Sequence, residues 1–393
     1  MKRRRLICSL ISSLCFLTAI QSPSQTVPHA RQGSSESLQA EAKSALALEQ
    51  QGRFAEAETA WRAVTKAQPR SADALAHLGL VEARQERYDD AIADYRRAIA
   101  LNPDLPGLQL NLGLALFKKN DFKDAIQPLT AELKKHPDDQ RLTILIGMSH
   151  YGMGDYFVAI PYLKRAADRD PQSLPLRLTL AHSCLFSKQY QCVLDVYKEI
   201  VAINPDSAEA DMLAGEALDE VGKSSEAIEQ FRAAARANPK EPNVHFGLGY
   251  LLLTESQYAE AAKEFQAELE NDPTHTQSRA YLGDCLVQLN DYEHALPELQ
   301  KAEAEDPSLG PVHRDLGIIY VEQGHNDDAI RELQRAIELD PTDVAPHWRL
   351  ARLYQSMGKK DEAKAEFAKA SAMNKQAKEA LDRKLSTAKP PAQ

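Results

Sequence analysis

Only 5 cysteines, 2 tryptophans and 6% aromatic residues occur among the 393 residues. Positive charge is as sparse: the formal net charge is −10, and four basic residues, Lys2 to Arg5, crowd the first five positions. Without them the chain is four units more acidic still. Each scarcity excludes something. A net acidic chain with few rings lacks the basic face and stacking platforms that nucleic acid requires. The longest apolar stretch, residues 6–20, is short for a membrane span. Three cysteines beyond residue 24 cannot staple a disulfide-framework fold, and none has the spacing of a zinc site.

Phosphate binding is excluded at its one imitation. Gly222-Lys223-Ser224 matches the end of a phosphate-binding loop, but Ala217 stands where that loop needs glycine, and the surroundings are helical. Gly222 reads instead as a helix end and Ser224 as the start of the next. His245, His313, His347 and His182 have no cysteine or carboxylate at ligand spacing, so they read as surface or interface histidines. No nucleophile–base arrangement is present. The expectation is a non-enzyme that takes no cofactor and no metal.

What the sequence has in plenty is alanine, leucine and period. Prolines stand at Pro69, Pro103, Pro137, Pro171, Pro205, Pro239, Pro273, Pro307 and Pro341, each 34 residues after the last. An internal period of this length fixes an architecture before any motif does. With proline at position 32, ten repeats begin at residues 38, 72, 106, 140, 174, 208, 242, 276, 310 and 344. Position 8 is then glycine or alanine in every repeat, from Ala45 and Gly79 to Ala351. Position 20 is alanine except at Val193. Position 24 is large and apolar, from Trp61 and Tyr95 to Phe367.

Positions 4–11 and 18–31 each show helical periodicity. Two helices in 34 residues must form an antiparallel hairpin. Small residues at 8 and 20 allow the backbones to approach, and the large residue at 24 fills the space beside them. Proline at 32 ends the second helix, and Pro106, Pro175, Pro242 and Pro311 start the next one. Asn120-Asp121 and Asn290-Asp291 suit the turn or an N-cap. Pro128, Pro161 and Pro297 are placed near the first turn of a second helix, where little hydrogen bonding is lost.

This pattern resembles the tetratricopeptide repeat family over residues 38–377. The resemblance implies an all-α, right-handed solenoid of tandem helical hairpins, with peptides or protein partners held on the concave face. That face is lined by first-helix positions 2, 5, 9, 12 and 13. In repeats three to five these are Leu110, Leu114, Phe117, Ile144, Met148, Tyr151, Leu178, His182 and Leu185. Repeat six is acidic, with Glu216 and Asp219, and repeat seven is apolar again, with Phe246 and Tyr250. Arg314, Trp348 and Arg352 follow in repeats nine and ten. The expected occupant is an apolar or amphipathic segment with basic residues near the acidic middle. The terminal-carboxylate grip of some family members, which needs Lys and Asn at positions 5 and 9, is missing here, as Leu110, Ile144, Leu114 and Met148 show.

The ends complete the reading. Residues 1–24 have the layout of a signal peptide, or of an N-terminal anchor if uncleaved. Residues 25–37 read as a polar linker, and 378–393 as a capping helix and disordered tail. Export implies a periplasmic or secreted protein, with membrane contact only through residues 6–20. In an oxidising compartment Cys184 and Cys192, on opposite sides of one turn, are candidates for a disulfide. The functional expectation is an exported scaffold for a protein partner; the alternatives are an envelope-assembly or export accessory factor and, remotely, a small-molecule or enzymatic role.

Overall fold

The computed structural model describes residues 32–387, and the expected signal segment and residues 25–31 of the expected linker lie outside them. The described residues form twenty α-helices and no strand. They divide into two compact units, Met1–Leu213 and Ala214–Gln393. In the first, the hairpins are Gln32–Gln50 with Phe54–Ala67, Ala72–Arg84 with Tyr88–Leu101, Leu108–Lys118 with Phe122–Lys135, Gln140–Met153 with Tyr156–Arg169, and Leu174–Phe186 with Tyr190–Ile203. The helix Ala208–Glu220 carries the chain across the division to Ser224–Ala237. The hairpins Val244–Thr254 with Tyr258–Asn271, Thr276–Gln288 with Tyr292–Glu305, Gly310–Glu322 with Asn326–Leu339, and Ala345–Ser356 with Lys360–Thr387 follow. This is the α-solenoid of tandem hairpins that the period implies. Within each unit a second helix packs on its own first helix and on the first helix of the next repeat.

One contact recurs in this packing. The position-20 alanines from Ala57 to Ala329, and Val193 among them, are wholly buried, as are Tyr95, Leu129, Leu163, Phe265, Leu299 and Leu333 at position 24. The glycine at position 8 leaves the room that these large side chains occupy. A Cβ on Gly113 would lie 2.5 Å from Leu129, and one on Gly283 would lie 2.4 Å from Leu299. Phe231 is gripped from two sides, by Gly215 and by Gly247 of the next repeat. Tyr197 is only half-buried and turns its hydroxyl to donate to Asp211 at 2.8 Å.

Each first helix ends the same way. Position 15 has a positive φ in all ten repeats, held by Gly52, Glu86, Asn120, Gly154, Lys188, Gly222, Ser256, Asn290, Gly324 and Gly358. The next amide reaches back five residues, as in Asp121 N–H to Leu116 O and Gln257 N–H to Leu252 O. This is the left-handed helix end whose 6→1 bond satisfies a terminal carbonyl. Asn120 and Asn290 are therefore the left-handed turn residues, and Asp121 and Asp291 after them are the N-caps, Asp291 accepting from the His294 N–H at 3.4 Å. Glu86, Lys188 and Ser256 adopt the same conformation against their own preference, which is why the local sequence does not announce it.

One boundary and three prolines differ from the sequence reading. The first helix starts at Gln32, six residues before the expected repeat start, so the linker is helical from there. At the other end Lys375 replaces the tenth phased proline and, as the helical pattern there implies, the last second helix runs unbroken through the expected capping helix as Lys360–Thr387. Pro128, Pro161 and Pro297 sit at the seventh, sixth and sixth residues of their helices, one turn further in than expected.

The glycine contact yields a quantitative test. Gly247→Ala should gain about 1 kcal/mol of helix propensity. The added carbon would lie 2.3 Å from the Phe231 ring, and overpacking of this severity costs about 1–3 kcal/mol. Overpacking should win: a circular-dichroism melt should show a lower midpoint than the parent, whereas a raised midpoint would show that the Phe231 contact is slack.

Candidate functional site

The first-helix residues expected to line an exposed groove in repeats three to five do not form one. Leu110, Leu114, Phe117, Ile144, Met148, Tyr151, Leu178, His182 and Leu185 are all buried. The reason is a contact the sequence pattern does not show. Successive first helices touch, as Leu108–Lys118 does Gln140–Met153, and apolar residues at positions 5, 9 and 12 fill that seam. Burying each contributes roughly 1.5–3 kcal/mol, so these residues belong to the core. The corresponding residues of the C-terminal unit are more open. Glu216 and Tyr250 are exposed, while Asp219 and Phe246 are half-buried.

The N-terminal unit exposes different apolar residues. Phe157 is 71% exposed and Phe186 50%, and Met153 and Val158 are also exposed. The ring of Tyr156 lies 4.8 Å from that of Phe186, and the His182 ring stacks with Phe186 at 5.8 Å. The signal was present in the repeat itself. Position 18 is alanine or polar in the nine repeats other than that of Phe157, and position 13 is polar or glycine in the nine other than that of Phe186. The turn that follows Phe186 is closed by Cys184 and Cys192, whose Sγ atoms are 2.00 Å apart with Cα atoms 5.8 Å apart. Cys285 is a free, buried thiol, pushed up to about 12 by desolvation.

In the C-terminal unit a cluster of rings gathers around Tyr281. Tyr281 lies 6.1 Å from Phe246, 5.8 Å from Tyr250 and 5.5 Å from Phe265. Beyond it Arg314, Asp284, Gln288 and Arg349 line a cleft of about 310 Å³. Arg314 is already committed: it donates to Asp315 at 2.8 and 3.2 Å, and Asp284 and Asp343 lie at 3.5 and 3.6 Å. Burial, with Asp284 nearby, pushes the Asp315 carboxyl up to about 7 despite Arg314. Arg349 and Arg352 are exposed, and the Arg349 charge also acts on Asp315, favouring its ionised form.

The histidines at position 4 are ion-paired, to partners the sequence reading missed because they lie nineteen residues away. His245 Nδ1 is 2.6 Å from Glu264, and His313 Nδ1 is 2.8 Å from Glu332. His347 pairs with Glu366 in the same register. In the eighth repeat an arginine takes the place: Arg279 donates to Glu298 at 2.8 Å. In His245, His313 and Arg279 the other side faces the phased proline of the preceding repeat. His245 Nε2 lies 3.0 Å from Pro239 O, His313 Nε2 lies 3.0 Å from Pro307 O, and Arg279 donates to Pro273 O at 2.6 Å. A carbonyl and a carboxylate can only accept, so the surroundings of His245 favour the ring that donates from both nitrogens and raise its pKa, above all through the bond to Glu264. Glu303, His313 and Glu332 are close enough to hold a metal ion. The same histidine–glutamate pair recurs at His245 and His347, and Arg279, which cannot ligate, fills the register between; the arrangement is a clamp joining successive repeats.

Sequence models of the tetratricopeptide repeat match residues 43–106, 194–242, 212–276 and 246–309, and 82–147. Further repeat models match 317–358 and 345–377. Together they cover more than two thirds of the chain, which belongs to the tetratricopeptide repeat family. A comparison with curated proteins gives no match. Among solved structures, the chain is similar to YrrB, described as a TPR protein with an unusual peptide-binding site. Identity is 20% over 47% of this chain and 95% of that one, with a TM-score of 0.43. It is similar to MamA from Desulfovibrio magneticus RS-1 at 22% identity, over 43% of this chain and 96% of that one, with a TM-score of 0.40. A tetratricopeptide repeat protein from Parabacteroides merdae matches at 16% identity over 66% and 97%, with a TM-score of 0.44.

The clamp makes stability depend on pH. The bond to Glu264 raises the His245 pKa, helped by the Pro239 carbonyl and the nearby Glu268. A raised pKa stabilises the fold below the unfolded value of about 6.5, and that contribution is lost as pH rises through the folded value. The parent's melting midpoint should therefore fall more steeply above pH 6.5 than that of His245→Arg, which carries a permanent charge. Parallel slopes in melts from pH 6 to 9 would show that His245 is not charged in the fold.

Proposed function

We propose that this protein is an exported, non-enzymatic scaffold that holds a protein partner through side chains departing from the repeat pattern. The observation that carries this reading is the exposure of Met153, Phe157, Val158 and Phe186 in two successive repeats. Nine other repeats serve as internal controls: at positions 18 and 13 they show that the fold asks for neither phenylalanine. Exposed apolar groups grouped in this way mark contact with another protein. Family membership supports the same reading, because tandem helical hairpins offer a long surface to another protein.

Export rests on the basic start and apolar stretch of residues 1–24 and agrees with the joined Cys184 and Cys192, since disulfides persist in oxidising compartments. A short loop closed in this way stabilises by roughly 2–3 kcal/mol. Protein isolated without reductant should gain two hydrogens in intact mass on reduction. Three thiols open to alkylation in the unfolded, unreduced chain from residue 25, rather than Cys285 alone, would contradict it.

The scaffold role is tested by affinity capture from the host's envelope fraction, with the chain from residue 25 as bait. Phe157→Asp with Phe186→Asp should reduce capture of the retained protein at least tenfold. Its melting midpoint should stay within a few degrees of the parent, as exposed substitutions change stability little. Equal capture by both baits would place binding elsewhere, and capture of nothing by either would contradict the scaffold role.

A further inference from the structure

The second helices carry a departure that Phe157 and Phe186 do not explain. Arg96 and Arg232, at position 25, reach across to an acid at position 19 of the next repeat: Arg96 donates to Asp124 at 3.0 Å and Arg232 to Glu260 at 2.8 Å. Position 19 is acidic in repeats one to three, six, seven, nine and ten. Between repeats seven and eight both partners are replaced, by Gln266 and His294. Beside them Ala262 stands at position 21, which is isoleucine or leucine in repeats two to six, eight and nine. The consequence is visible at position 11 of the following repeat. Leu116 and Leu252, which follow Ile92 and Ile228, are buried, whereas Leu286, which follows Ala262, is half-buried.

A pocket of about 470 Å³ lies at that point, walled by Leu282, Leu286, Ala262, Ala267 and Pro297. Sites for small molecules run from about 300 to 1,000 Å³. At about 30 Å³ for each water-sized group, this one holds roughly fifteen. Its charges are ordered. Lys263 and His294 belong to the N-terminal halves of Tyr258–Asn271 and Tyr292–Glu305, and Glu270 lies two turns beyond Lys263, about 10 Å along the helix axis. Asp291 accepts from His294 Nδ1 at 2.8 Å, which raises the His294 pKa and favours the ring that also donates from Nε2. The first turn of Tyr292–Glu305 adds the partial positive charge of a helix N-terminus. Glu298, also at the pocket, is held by Arg279 at 2.8 Å. An anionic group is therefore attracted at the end of Lys263 and His294 and repelled at the end of Glu270.

We propose that the groove between the second helices of repeats seven and eight binds a small amphiphile, with an apolar body of about ten to fifteen heavy atoms and one carboxylate. The apolar body covers Leu282 and Leu286, in the room that Ala262 leaves. The carboxylate accepts from His294 and Lys263.

The test is titration calorimetry of the full chain with decanoate and with naphthalene-2-carboxylate, and with decylamine as the cationic match. At least one carboxylate should bind with a Kd of about 1 mM or tighter, an ordinary affinity for a dozen heavy atoms. Decylamine should bind at least tenfold more weakly. Ala262→Leu, which restores the residue type of the other repeats and fills the pocket, should weaken the carboxylate at least tenfold without lowering the melting midpoint. His294→Asp with Lys263→Glu should weaken it as much and bring decylamine level with it or ahead. Phe157→Asp with Phe186→Asp should change neither value. No binding of either carboxylate, binding unchanged in Ala262→Leu, or the amine bound by the parent as tightly as the carboxylate would each overturn the proposal. Loss with the phenylalanine variant alone would place the amphiphile on those side chains and overturn it too, while protein capture is judged separately.

Discussion

The structure depends on one close approach, repeated. A glycine or alanine at position 8 lets the second helix bring a large side chain against the first helix. Position 20 is alanine, with one valine, so that the two backbones can meet. Tyr95, Leu129, Leu163, Phe265, Leu299 and Leu333 all vanish from solvent by this means. Phe231 shows the consequence for cooperativity, since the glycines that admit it belong to successive repeats. A repeat cannot complete its own core, and its stability is shared with its neighbour. The histidine and arginine clamps act at the same junctions, tying the proline turn of one repeat to both helices of the next.

Surface and core then separate by register. Positions 8, 20 and 24 are fixed by packing and vary only within size limits. Positions 13, 18 and 19 are free of that demand, and ordinarily carry small or polar groups. Apolar residues at these positions in repeats four and five are departures the fold does not require. The disulfide sits where one departure begins, and its closed turn follows Phe186 directly.

The hairpins, their order and the cores were legible because the chain aligns with itself. The pairing of Cys184 with Cys192 was legible for a related reason, since both flank one turn of a known hairpin. The candidate groove was misread. Leu114 and Met148 sit at positions that can face a partner, but whether they do depends on how closely successive first helices pack, and no single repeat encodes that distance. The clamp was missed because His313 and Glu332 are nineteen residues apart and meet only across a folded hairpin. The left-handed turns at Glu86, Lys188 and Ser256 had no glycine to mark them. Phe157, by contrast, was visible all along to a comparison of position 18 across repeats.

The central claim is that partners are held by residues departing from the repeat pattern, while residues obeying it build the core. Hydrogen exchange of the chain, alone and with a bound partner, tests this most directly. Bound partner should slow exchange in the turn 152–158 and around 183–192, and leave the second helices as they were. Protection confined to outer second-helix segments such as 226–237 or 326–339 would contradict it.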